Sequence, residues 1–172
     1  MTTATWLDDR EQQAWRGLLA MQAKLDGRLR RSLQRDSGLS DADYAVLVNL
    51  SEAPGGRLRV FELVAALDWE KSRLSHQLRR MEQRGLLERE GCETDRRGSF
   101  VVLTEPGRRA IEAAAPHHVN EVRRWFVDAL TGAQLEALTE ITAAVLANLG
   151  ADEAHDRRHL QRAGSTSRSS SP

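Results

Sequence analysis

The chain has 172 residues, with 25 Lys plus Arg against 25 Asp plus Glu and a single cysteine. Balanced charge excludes a globally basic nucleic-acid binder but not a locally basic one, because the charge near the phosphates is what matters. Cys92 has no partner for an internal disulfide, no apolar run approaches the ~18 residues of a membrane span, and MTTATWLDDR lacks the basic-then-apolar order of a secretory signal; a cytoplasmic protein built on one compact domain is expected.

Residues 1–7 read as an arm. From about residue 8 to 36, Trp15, Leu18, Leu19, Leu25, Leu29 and Leu33 recur at helical spacing. At 1.5 Å per residue such a helix is ~40 Å long, more than a small core covers, so a large surface such as a second copy of the chain is expected against it. Ser37-Gly38 ends it. Ser40 and Asp43 resemble a capping box for a short helix burying Tyr44, Leu47, Val48 and Leu50. Ala53-Pro54-Gly55-Gly56 breaks that helix, and Arg57-Leu58-Arg59 reads as a very short strand. Val60 to Leu67 gives another short helix, expected to bury Phe61, Val64 and Leu67.

After the turn Asp68-Trp69-Glu70 comes the most informative stretch, KSRLSHQLRRMEQRGLL. On a helical wheel Leu78 and Met81 fall within about 40° of Leu74, one narrow apolar stripe. Ser72, His76 and Arg79 lie opposite. Between Lys71 and Arg80 stand four basic residues and no acid. Hydroxyl, imidazole, amide and guanidinium groups are the types that read base edges and hold phosphates. Two short helices joined by a tight turn, the second basic outside, make a helix-turn-helix. A basic face alone also suits a solvated surface helix; the next segment shifts the balance.

Gly85 ends the helix, and residues 86–89 and 99–103 read as two strands around a polar tip bearing Asp95, Arg96 and Arg97. Alone this is a surface hairpin with an Asp95–Arg97 ion pair. Beside the basic helix it reads as a wing, whose arginines can enter a minor groove. Thr104 caps a further helix through Ile111 and Ala115 to Val122 and Leu130, which Pro116 should bend or interrupt. Thr131 and Gln134 form a capping box for a last helix, where Leu135, Leu138, Ile141, Val145 and Leu149 recur near every 3.5 residues. Residues 151–172 are polar and are expected to be a disordered tail.

These features resemble the MarR family of bacterial transcriptional regulators. The carrying residues are Lys71-Ser72-Arg73-Leu74-Ser75-His76, the stretch Leu78 to Leu86, and the wing pattern Asp95-x-Arg97 followed by Val101-x-Leu103-Thr104 and Gly107. The resemblance covers roughly residues 8–150. It implies a mainly α fold with a small β-wing (α+β): a winged helix-turn-helix core at about 40–104, with dimerisation helices at about 8–36 and 105–149. It implies a homodimer, most simply a repressor, on a pseudopalindromic operator, released by a small-molecule or stress signal. Lys71, Ser72, Arg73, Ser75, His76, Gln77, Arg79, Arg80, Asp95, Arg96 and Arg97 are the expected DNA-binding residues, with Arg73 for base readout and Arg97 for the wing. Family members often bind small aromatic effectors between the dimer helices and the winged lobe; Trp15, Tyr44 and His118 are the candidate wall residues.

Other readings are weaker. No nucleophile elbow, phosphate loop or clustered ligand set suggests an enzyme, and no cofactor is expected. His155 and His159, four apart, lack the rest of a zinc set. Cys92, flanked by Glu90 and Glu93, is expected to be an inert thiol. The alternative is a winged-helix protein-interaction module without DNA binding, but a protein-docking face would be more apolar.

Overall fold

The computed structural model describes the backbone of residues 5–91 and 99–166, and the side chains of residues 5–91 and 99–150. The elements in order are α1 (Asp9–Ser37), α2 (Asp41–Glu52), β1 (Arg57–Arg59), α3 (Val60–Leu67), α4 (Lys71–Gln83), β2 (Leu87–Glu90), β3 (Phe100–Leu103), α5 (Glu105–Trp125) and α6 (Gly132–Thr166). Residues up to Trp125 form one compact unit and those from Phe126 onward a second. The fold is mainly α with one antiparallel sheet in the order β1-β3-β2, Leu87 facing Leu103 and Arg57 facing Val102.

Local chemistry sets the helix boundaries. Asp8 caps α1 and Ser40 caps α2, each through a reciprocal box with Glu11 and Asp43 respectively. Gly38 (φ 67°) terminates α1 in the left-handed region. The turn between α3 and α4 contains no glycine; Asp68 adopts φ 49° instead, a conformation Asp tolerates better than most residues. At the other end of α4, Gly85 (φ 70°) lets the Leu86 N–H reach the Met81 carbonyl at 3.0 Å and its own N–H reach Glu82 at 2.9 Å, closing the last turn.

The expected stripe of Leu74, Leu78 and Met81 is buried. It belongs to one core with Leu47 and Leu50 of α2, Leu63 of α3, Leu87 and Val101 of the sheet, and Ile111 and Ala114 of α5. On α3 the inward residue is Leu63, and Phe61 is 62% exposed. Of the expected stripe Phe61, Val64 and Leu67, the last two are partly buried against this core and only Phe61 turns outward; on so short a helix the adjoining turns, not periodicity, set the rotation.

Three further expectations are corrected. Of the bend or interruption expected at Pro116, the interruption does not occur: α5 runs unbroken to Trp125 along α1, whose packing supports a turn lacking one hydrogen bond. The helix then gives way to a 3-10 turn at Val127–Ala129 before reaching Leu130. Finally, α6 continues through Gly150 to Thr166, so residues 151–166 are helical rather than a disordered tail. One interior glycine costs only about 1 kcal/mol, and the Ala-, Glu- and Arg-bearing residues beyond it are good helix formers.

Candidate nucleic-acid interface

Lys71, Ser72, Arg73, His76, Arg79 and Arg80 are all exposed on α4, and Ser75 is half-buried beside them. The N-cap residue Glu70 makes no side-chain capping bond, so the first-turn amides remain open to an anion. The Arg73 guanidinium lies over the Trp69 ring at 4.3 Å, which stiffens an otherwise free side chain. Arg89 of β2 donates to the Ser75 carbonyl at 3.2 Å, tying the hairpin to the helix.

Gln77 is not on the exposed face. It is 2% exposed, and its Nε2 donates to Asp43 Oδ1 at 2.7 Å. It sits about 60° from Leu74 on the wheel, at the edge of the apolar stripe, where α2 covers it. Its Oε1 accepts a short hydrogen bond from Arg80 Nη2. Asp43 Oδ2 also receives Arg84 Nη1 at 2.7 Å and the Ser40 N–H at 2.9 Å. Burial pushes the Asp43 carboxyl up, but the Ser40 backbone N–H and the Arg84 guanidinium outweigh it and hold the group below its ordinary value. The residue read from sequence as a helix cap is thus also the hub of a buried polar cluster.

The hairpin root is described; its tip is not. Cys92, Asp95, Arg96 and Arg97 lie outside the described residues, as do the side chains of His155 and His159. At the root Arg57 and Arg59 lie over Phe100 at 4.0 and 4.5 Å, and Arg57 pairs with Glu90 at 3.2 Å. Thr104 Oγ1 accepts from the Gly107 N–H at 3.1 Å and donates to the Gly85 carbonyl at 2.7 Å, joining the end of α4 to the start of α5. Gly107 is obligatory: a Cβ there would stand 1.9 Å from the Leu86 carbonyl oxygen.

Of the expected effector-wall residues, Tyr44 and His118 meet, with ring centroids 4.4 Å apart. Trp15 does not join them. It is exposed on α1, and Ser32, which lines the small cavity next to His118, lies about 25 Å further along that helix at 1.5 Å per residue. The same cavity holds a pair missed in the sequence, His117 Nε2 at 2.6 Å from Asp36 Oδ2. A hydrogen bond from Arg35 outweighs the cost of desolvation, and with help from Ser32 and His117 holds the Asp36 carboxyl down at about 2. Burial lowers the His118 imidazole, and its neighbour His117 adds to that while Asp41 opposes it. Among the described residues no three His, Cys, Asp or Glu side chains could hold a metal ion, and no helix is long and apolar enough to cross a membrane.

Known proteins share this arrangement. The crystal structure of AbsC, a MarR family transcriptional regulator from Streptomyces coelicolor, is 45% identical; the match covers 86% of this chain and 99% of that one, with a TM-score of 0.82. The chain belongs to the MarR family. The family's sequence model matches residues 37–98, the stretch that holds the helix-turn-helix. Sco3205, a MarR family regulator from the same organism solved in complex with DNA, is 40% identical over 83% of this chain and 90% of its own, with a TM-score of 0.80. The transcriptional regulator HosA of Escherichia coli is 32% identical over 108 residues, 63% of this chain and 78% of HosA. MarR family proteins are transcriptional regulators rather than enzymes.

Proposed function

We propose that this chain is a homodimeric, sequence-specific regulator of transcription that binds double-stranded DNA and acts as a repressor. The observation that carries the reading is α4: its apolar stripe is locked into the core while Lys71, Ser72, Arg73, His76, Arg79 and Arg80 face outward together. The DNA complex of the similar Sco3205 supports it. In this reading residues 40–104 form the DNA-reading core. Arg73 and its exposed neighbours meet base edges in the major groove, Arg79, Arg80 and the first-turn amides meet phosphates, and Arg96 and Arg97 enter the minor groove.

The outer helices support a pair. Trp15, Leu18 and Leu19 of α1 and Ile141, Val145, Leu146 and Leu149 of α6 are all exposed in the single chain. Apolar residues recurring this way along long helices fit a two-fold interface, which would present two α4 helices about one DNA turn, ~34 Å, apart. In this reading a small aromatic ligand beside the tilted Tyr44–His118 pair would touch α2 and α5, bias the separation of the two cores and so release the DNA.

The test is a footprint on the DNA upstream of the chain's own gene, repeated over a salt series. A protected pseudopalindrome with strongly salt-dependent affinity is expected. Uniform, sequence-independent binding, or none, would overturn the reading.

A further inference from the structure

We infer that the cleft between α1, the start of α2 and α4 is a second DNA contact, a seat for one phosphodiester flanking the bases met by α4. The inference rests on the DNA-binding reading above and adds residues that it leaves in the dimer helix and in the core.

The cleft is lined by Arg30, Arg31 and Arg35 from α1, by Ser40 and Asp41 at the head of α2, and by Arg73 and Arg80 from α4. Two of its arginines are already neutralised, Arg30 by Asp41 at 2.8 Å and Arg35 by Asp36 at 2.8 Å. Arg31, Arg73 and Arg80 pair with no carboxylate among the described residues. Three cations facing one open groove repel each other unless an anion joins them. Arg73 and Arg80 are moreover held in place, one by the Trp69 ring and the other by the Gln77 carbonyl oxygen.

The Gln77 amide is itself fixed, because its Nε2 is bound to the buried carboxylate of Asp43. The amide therefore cannot turn over, and its oxygen must point at Arg80. Gln77 is a positioning residue: it touches no DNA, and it holds a guanidinium whose fork matches two phosphate oxygens. Arg31 makes the groove wider than α4 alone and ties the DNA backbone to the C-terminal half of α1.

The experiment measures DNA affinity of the full chain against salt for Arg31→Ala, Arg80→Ala, Gln77→Met, the double variant of the last two, and Arg109→Ala. Arg109 is an exposed control on α5, away from the cleft. Arg31→Ala and Arg80→Ala should each flatten the log–log slope by about 0.9 while base preference stays as in the parent. Gln77→Met should flatten it nearly as much as Arg80→Ala and add nothing in the double variant. Thermal unfolding of each variant establishes that the fold is kept, and Gln77→Asn serves if Gln77→Met unfolds. Inorganic phosphate and pyrophosphate are titrated separately; saturable binding to the free protein that Arg31→Ala abolishes, with an unchanged DNA slope, would assign the seat to a free anion and overturn the inference. An equal loss with Arg109→Ala, or additive effects of Gln77→Met and Arg80→Ala, would also overturn it. If the parent chain itself binds no DNA, the broader reading has failed rather than the seat.

Discussion

The helix-turn-helix core and the long outer helices treat their apolar residues in opposite ways. In the core Val46, Leu47, Leu50, Leu63, Leu74 and Met81 are fully sealed from solvent, and no buried side-chain polar atom there lacks a partner among the described residues. Along α1 and α6 the large side chains stand open: Trp15 is 53% exposed, Ile141 59% and Leu146 66%. The core is saturated by its own contacts, whereas the outer helices leave their large apolar residues open in the single chain. Specific recognition needs the first property, since a reading head must keep its shape. Symmetric reading of two half-sites needs the second.

Charge in the open stripe should break the contrast most severely. Ile141→Glu with Leu146→Glu removes apolar burial on both protomers, an expected loss of about 3–6 kcal/mol of dimer stability for each position counted twice. Sedimentation should show monomers, and operator binding should vanish with them. Unchanged dimers would mean that α6 is not part of the interface. In the sealed region, Leu74→Ala should cost about 2–5 kcal/mol of unfolding free energy in urea titrations, because the close-packed stripe cannot collapse around the gap. A cost below 1 kcal/mol would show a core looser than its burial implies. Arg73→Ala touches neither kind of packing: about 1–3 kcal/mol of operator affinity should be lost, with relaxed preference at one base pair and unchanged unfolding.

The smallest effect concerns the seam between α1 and α5. The Arg35 guanidinium holds the Asp36 carboxyl down at about 2, below its ordinary value of 3.8. A depressed carboxyl contributes stability that is complete above its unfolded pKa and is lost as pH falls through the folded one. The loss should therefore run from about pH 4 down to about 2, and Asp36→Asn should flatten urea midpoints across that window. An equal decline in the variant would assign acid sensitivity to other carboxylates.

Much of this was legible because local rules suffice for it. The stripe of α4, the caps at Ser40 and Thr131, and the stop at Gly85 depend on residues within a turn of one another. The burial of Gln77 is not legible because its wheel position is marginal, and it is set by Asp43, which lies 34 residues away in sequence. Phe61 and Leu63 exchanged places because an eight-residue helix carries too few turns for periodicity to fix its rotation. The His117–Asp36 pair joins α5 to α1, from either side of the winged segment in sequence, and no spacing rule announces it. Asp36 stands beside Arg35 in the sequence, but nothing near Arg30 and Arg31 tells which is neutralised; that depends on Asp41 across the gap between helices.

The missing Cβ of Gly107 has a mechanical consequence. With the Leu86 carbonyl filling that space, the first turn of α5 and the base of β2 cannot slide past each other. Thr104 pins the same joint from the other side. The root of the hairpin and the head of α5 are thereby coupled as one joint, so that neither can shift without displacing the other.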